Sequence, residues 1–262
     1  MSTFKATPKL SAMNNLMETS GSTYLTTKGK VFKSDFILTS ALEEAFEFAY
    51  EKTVGNKRNL MSIFWGSKRK ENVAEFAKAF RGKLCEIGLK RYFSVNNLSV
   101  RYPKARSWAP DKYENFDLLV NGKRILVKAI PYYSNLLLLD TKMWKADASY
   151  GKGRRHRIQY DYFVLTRIKP GVIHLFENFK LTKDQEINKE RLKEIVFAPY
   201  FQFEVTGYLS KDEVRYLDET KQVLAEGSIV NGIKKLDNEY YYCQAGDLNR
   251  PKLLVDLIKY GA

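Results

Sequence analysis

Cysteine is nearly absent. Only Cys85 and Cys243 occur in 262 residues, which excludes a disulfide scaffold and a zinc site of the CxxC type. Histidine is as scarce: His156 and His174 stand alone, so no Ser/His/Asp or Cys/His arrangement can be argued. No apolar run approaches the ~18 residues a membrane span needs. The longest, such as Leu136–Leu139, have strand length. The opening MSTFKATPKLS has no apolar h-region, so a cytoplasmic protein is the expectation. Internal repeats, low-complexity tracts, helix-turn-helix and zinc-finger signatures are missing. GKGRR lacks the Walker spacing and the Ser/Thr that follows it, so it is no phosphate loop.

What the chain has in excess is positive charge and rings. Lys and Arg total 44 against 30 Asp and Glu, a net charge of +14. A field of that sign draws in polyanions: nucleic acid, anionic membrane or acidic protein. Residues 52–106 hold fourteen Lys or Arg against three Glu, more than solubility requires. The sharpest cluster is Lys152, Arg154, Arg155 and Arg157, side chains suited to phosphate contacts or to guanine in the major groove. Aromatic residues make up 14% and all hydrophobic residues 44%, enough for a sizeable core. Trp65, Trp108 and Trp144 interleave with charge, but tryptophans in strand-like contexts are more often core.

The order of elements predicts an α/β (α+β) chain, a mixed central sheet flanked by helices. Residues 1–35 are polar with little periodicity and are expected to form an N-terminal arm or cap; 36–262 are expected to form one domain. Leu42, Ala45, Phe46 and Ala49 follow helical spacing, and a second helix is predicted over about 71–93 from the stripe Val73, Phe76, Ala77, Phe80, Leu84, Ile87 and Phe93. Gly82 interrupts that helix, which usually has a packing reason. Cys85 on it is expected to be a small packing residue. From 94 to 168 the texture is that of strands, and Asn121-Gly122 between FDLLV and RILVKAI marks a hairpin. Beyond 170 the pattern predicts helices near 182–196 and 210–218, strands near 201–209 and 239–244, and a final helix from 248.

The hairpin carries the chemistry. Asp117 opens the first strand and Lys128 stands in the second, eleven residues on. Antiparallel pairing about Asn121-Gly122 brings both toward one end. A carboxylate beside an ammonium can bind a divalent cation and position water against a phosphodiester. A purely structural Asp117–Lys128 ion pair would explain both residues equally well.

The segment ENFDLLVNGKRILVKA resembles the PD-(D/E)xK superfamily, which includes many type II restriction endonucleases. Asp117 matches that family's first acid and Lys128 its lysine. GKLCE (Gly82–Glu86) resembles the helix that contributes a further carboxylate, Glu86. SNLLLLDTKMW and YDYFVLTRIKP resemble the core continuation in one set of restriction enzymes. The resemblance covers roughly 70–170 and implies a restriction-endonuclease-like core there, with a C-terminal extension over 170–262. It further implies a Mg2+-dependent endonuclease acting on double-stranded DNA, a homodimer, and a methyltransferase acting on the same site.

One position departs from the pattern. The second acid stands two residues before the lysine in that family, and here that residue is Leu126, which cannot ligate Mg2+. Either the acid has migrated, with Asp140 and Glu86 completing a metal set around Asp117, or the domain binds DNA without cutting it. An RNA-directed nuclease or binder is the further alternative, since +14 does not choose between polyanions.

Overall fold

A computed structural model describes residues 13–53, 72–102, 117–145, 147–151, 158–179, 188–232 and 234–261. It shows the mixed α and β architecture that the order of elements predicts, in layers. The central sheet has six strands in the order β3 (Phe36–Ile37), β11 (Gln202–Ser210), β10 (Tyr162–Lys169), β6 (Lys123–Pro131), β5 (Leu118–Val120) and β4 (Val100–Arg101), strands being numbered along the chain. β6 and β10 run parallel, and the other pairs in this sheet are antiparallel.

One face of that sheet is covered by helices. α1 (Leu42–Thr53), α2 (Asn72–Val95), α3 (Val172–Asn178), α4 (Lys189–Phe197) and α6 (Pro251–Tyr260) share one apolar cluster with it. α2 lies close because Gly88 presents no side chain: a Cβ there would stand 2.7 Å from the buried ring of Phe203. At Gly82, by contrast, a Cβ would meet nothing within 4 Å among the described residues, which supply no packing reason for it. Local chemistry delimits the later helices. α5 (Lys211–Glu219) starts with a capping box between Ser210 and Glu213. α6 begins on Pro251 and stops at Gly261, whose φ of 67° lies in the left-handed region.

The opposite face is covered by a second sheet together with α5. Its order is β12 (Val223–Leu224), β15 (Tyr240–Gln244) and β7 (Leu136–Asp140). Leu137 and Leu139 pack toward the central sheet, whereas Leu136 and Leu138 join a third cluster beyond. Burial on both faces explains the unbroken leucine run as strand chemistry; the run is therefore no argument for a migrated acid at its end. That third cluster is closed by a four-stranded sheet of β1 (Met17–Ser20), β2 (Thr23–Leu25), β13 (Ile229–Val230) and β14 (Lys234–Lys235).

Two expected boundaries fail to divide the molecule. Residues 17–25 form a hairpin paired in parallel with β13 from the far end of the chain, so residues 13–35 are no separate arm. The stretch beyond 170 supplies β11 to the central sheet and β15 to the second, so it is no appended extension. Buried side chains fasten the N-terminal segment. Gln244 accepts hydrogen bonds from the amides of Thr27 and Lys28 (2.7 and 2.9 Å) and donates to the carbonyls of Asn14 and Asn15. Among the described residues no helix is long and apolar enough to cross a membrane.

Candidate functional site

The predicted hairpin is present and sets the site. Asn121 and Gly122 adopt φ of 45° and 83°, the paired left-handed geometry of a tight turn that follows the strand twist. β5 pairs with β6 at Leu118↔Ile125, Leu119↔Arg124 and Val120↔Lys123. Continuing that register one residue sets Asp117 opposite Leu126, on the face Leu126 shares with Lys128. The carboxylate is anchored there: the amide of Val127 donates to Asp117 Oδ2 at 2.7 Å. Among the described residues β5 pairs with no residue of β6 beyond this point.

Lys128 is half-buried on β6 beside Leu165 of β10. Burial lowers its pKa, while the negative charges of Asp117 and Asp140 push it back up. Among the described residues no ion pair within 4 Å joins Lys128 to either acid; Asp117 and Asp140 act on it only through their charge. Burial also pushes the Asp117 carboxyl up to about 6, opposed by the Val127 amide, Lys128 and Lys52. Glu86, on the helical side, is pushed up to about 7, first by burial and then by the charge of Asp117. Lys83 partly offsets this from 3.6 Å while also pairing with Glu44 at 3.3 Å. The two acids therefore share one field although they come from opposite faces of the sheet.

Asp140 lies at the end of β7. Its Oδ1 accepts from the Lys142 amide at 2.8 Å, a turn-closing role, yet its charge reaches Lys128 and Tyr150. Tyr150 feels both Asp140 and Asp117 and packs against buried Trp144 with ring centroids 4.9 Å apart. All four predicted site residues thus belong to one electrostatic cluster. They do not form the metal cage expected of Asp117, Asp140 and Glu86: among the described residues no three Asp, Glu, His or Cys side chains converge closely enough to hold an ion. Asp140 turns into its own loop, which leaves Asp117 and Glu86 as the two acids that share a field. Leu126 is 8% exposed and sits in the apolar cluster between the two sheets.

Lys52, Lys83 and Tyr150 were not expected at the site. Only their tertiary placement reveals them, because α1, α2 and β8 (Ser149–Tyr150) are far apart in sequence. The structure also reassigns four cations of the basic stretch over 52–106, of which Lys57, Arg58, Lys68, Arg69, Lys70, Lys104 and Arg106 lie outside the described residues. Lys83 and Lys90 stack on Tyr102 at 4.1 and 4.7 Å from the ring centroid, and Arg91 on Phe36 at 5.0 Å. Arg81 is held inward, its pKa lowered by burial. These cations cover apolar surface as well as carrying charge. Cys85 is fully buried, as expected of a packing residue, and Trp144 is buried too. Lys152, Arg154, Arg155 and Arg157, with Trp65, Trp108 and His156, lie outside the described residues.

Compared with known proteins, the chain matches no family model, no curated protein and no solved structure.

Proposed function

We propose that this chain is a divalent-metal-dependent endonuclease acting on double-stranded DNA, of restriction type. The observation that carries this reading is Lys128: half-buried, without an ion pair to either acid, and held between the fields of Asp117 and Asp140. A structural lysine would be paired or pointed outward. One kept between two carboxylates suits the charge that builds on a phosphodiester under attack.

The donor chemistry suits Mg2+, which takes hard oxygen ligands and often needs only one or two carboxylates besides water and substrate phosphate. Asp117 and Glu86 would hold it, since each is raised by burial and Glu86 also by Asp117, a strain that a cation relieves. Bound there, the ion would supply Lewis acidity toward the phosphate and its attacking water. Lys128 stabilises negative charge on the scissile phosphate. The Val127 amide fixes the orientation of Asp117, and the charges of Asp117 and Asp140 oppose the burial that lowers the Lys128 pKa. The net charge of +14 brings the DNA to the site. A restriction role fits a cytoplasmic homodimer reading a two-fold target, with a methyltransferase protecting the same sequence.

A second reading is favoured by Leu126 and by the missing three-acid cage: a DNA-binding protein on this fold that does not cut. The test is incubation of purified protein with unmethylated plasmid and phage DNA, in Mg2+ or EDTA, beside a Lys128→Ala variant. Discrete Mg2+-dependent fragments that vanish in the variant are expected. DNA left intact but shifted at low salt would overturn catalysis in favour of binding. Tighter binding to RNA than to duplex DNA would overturn the choice of substrate.

A further inference from the structure

At the far end of β6 and β10 the chain forms a groove of about 520 Å³, within the range of ligand-sized sites. One wall is the segment 29–32, including Phe32; the other is Tyr132, Tyr133 and Lys169. The rings form a connected surface. Phe32 and Tyr132 meet edge-on with centroids 6.1 Å apart, and Tyr132 and Tyr133 meet at 5.4 Å. Tyr133 is 40% exposed, and Lys169, also exposed, holds its ammonium 5.6 Å from the Tyr132 centroid.

Both walls hang on one buried cation. Arg167 is fully buried and paired with Glu204 at 2.6 Å. Its guanidinium donates to the carbonyls of Lys30 (2.9 Å) and Val31 (3.2 Å) on one wall. It donates to the carbonyl of Tyr132 (3.2 Å) and to Asn135 Oδ1 (3.1 Å) on the other. Lys30 turns inward, donating through Nζ to the Thr206 carbonyl at 3.0 Å, which leaves Lys169 as the exposed cation of the groove. A buried arginine that spans two walls fixes their separation before any ligand arrives, and such preorganisation lowers the cost of binding.

We infer that this groove binds single-stranded nucleic acid, a base stacking on Tyr132 and Phe32 while Lys169 meets the neighbouring phosphate. Aromatic platforms beside cations are how proteins hold single strands without reading sequence, and the net charge of +14 provides the approach. Tyr132 lies four residues beyond Lys128, about 13 Å along the strand direction at about 3.3 Å per residue. A strand end in the groove therefore reaches the candidate site within a few nucleotides. The proposal shares with the preceding one only the premise that the chain meets nucleic acid.

The test is fluorescence anisotropy with a labelled oligo-dT in EDTA, so that binding is read without cleavage, beside a blunt duplex of equal length. Tyr132→Ala is expected to weaken oligo-dT binding between about fivefold and a hundredfold, the range for loss of one stacked base. Tyr132→Phe keeps the ring and should bind as wild type. Lys169→Ala should lower the slope of log affinity against log salt by about 1. Lys193→Ala, whose partner is Glu43 on α1, is the control for general charge. Circular dichroism confirms that each variant is folded. Folded Tyr132→Ala and Phe32→Ala variants that bind oligo-dT as wild type does would overturn the proposal, as would equal losses on oligo-dT and duplex. Loss of oligo-dT binding in a protein that never cuts DNA would support the groove while sinking the nuclease reading.

Discussion

Glu86→Gln should stabilise the protein at alkaline pH and leave it unchanged near pH 4. In the folded chain burial and the charge of Asp117 push the Glu86 carboxyl from 4.5 up to about 7. At 1.36 kcal/mol per tenfold change in proton affinity, that corresponds to about 3 kcal/mol. The sign follows from proton uptake. Below pH 4.5 folded and unfolded chains both carry the proton, and Glu86 costs nothing extra. As pH rises from 4.5 to about 7 the unfolded chain releases the proton while the folded chain retains it, so stability falls. Above about 7 the full cost applies. Glutamine keeps the shape and removes the charge, and Lys83 retains Glu44 at 3.3 Å. Allowing for the lost Lys83–Glu86 attraction at 3.6 Å, a gain of about 1–3 kcal/mol is expected at pH 8. Urea unfolding at pH 4, 6 and 8 reads it as a rise in midpoint with unchanged slope. Mg2+ should narrow the gap at pH 8, because a cation held by Asp117 and Glu86 stabilises only the native wild type. A variant no more stable than wild type at pH 8, or a gain of equal size at every pH, would refute the electrostatic account of this cluster.

Three further outcomes follow from the same geometry. Lys128→Met should lower Mg2+-dependent cleavage at least about a hundredfold while leaving the melting temperature unchanged or higher, since it removes a desolvated charge; a large fall in melting temperature would make Lys128 structural. Arg167→Ala leaves Glu204 buried without its partner and unties Lys30, Val31 and Tyr132. It should cost about 3–5 kcal/mol in urea unfolding. Within α2, Gly82→Ala should stabilise by up to about 1 kcal/mol, whereas Gly88→Ala should cost about 1–3 kcal/mol against the buried Phe203 ring; thermal melts of the pair check both signs.

Where the signal was local, the fold was legible. The Asn-Gly turn, the apolar stripe of α2, and β11 and β15 all stand where periodicity and turn chemistry put them. The second and third sheets were not legible. β12, β13 and β14 have two residues each, too few for a period; β2 has three, and β1 is exposed throughout. The ties that hold the N-terminal segment, through Gln244 and Arg167, span more than a hundred residues of sequence. Asp117 and Lys128 were legible because a two-residue turn fixes register by counting. The field that Glu86 and Asp117 share was not, because it joins opposite faces of the sheet, which no local pattern announces. Asp140 was chosen partly from the leucine run before it, and two-sided burial of β7 removes that reason while leaving the residue in the cluster.

The same layering explains Leu126. It stands where register places a side chain opposite Asp117, and it shares an apolar cluster with Leu137, Leu139 and Phe163. A carboxylate at 126 and a second sheet packed on this face are therefore in competition: one needs water or a cation, the other excludes water. Leu126→Glu consequently does not simply restore a missing ligand. It should destabilise the fold by several kcal/mol, the usual penalty for an ion placed among apolar side chains. The loss should be greatest above pH 7, where the carboxyl must ionise or hold a proton against the solvent, and smallest at low pH. Urea midpoints at pH 4 and pH 8, with and without Mg2+, measure it. A Leu126→Glu protein as stable as wild type at pH 8 without Mg2+ would show that water reaches position 126, and that the apolar layer between the sheets does not exclude an acid there.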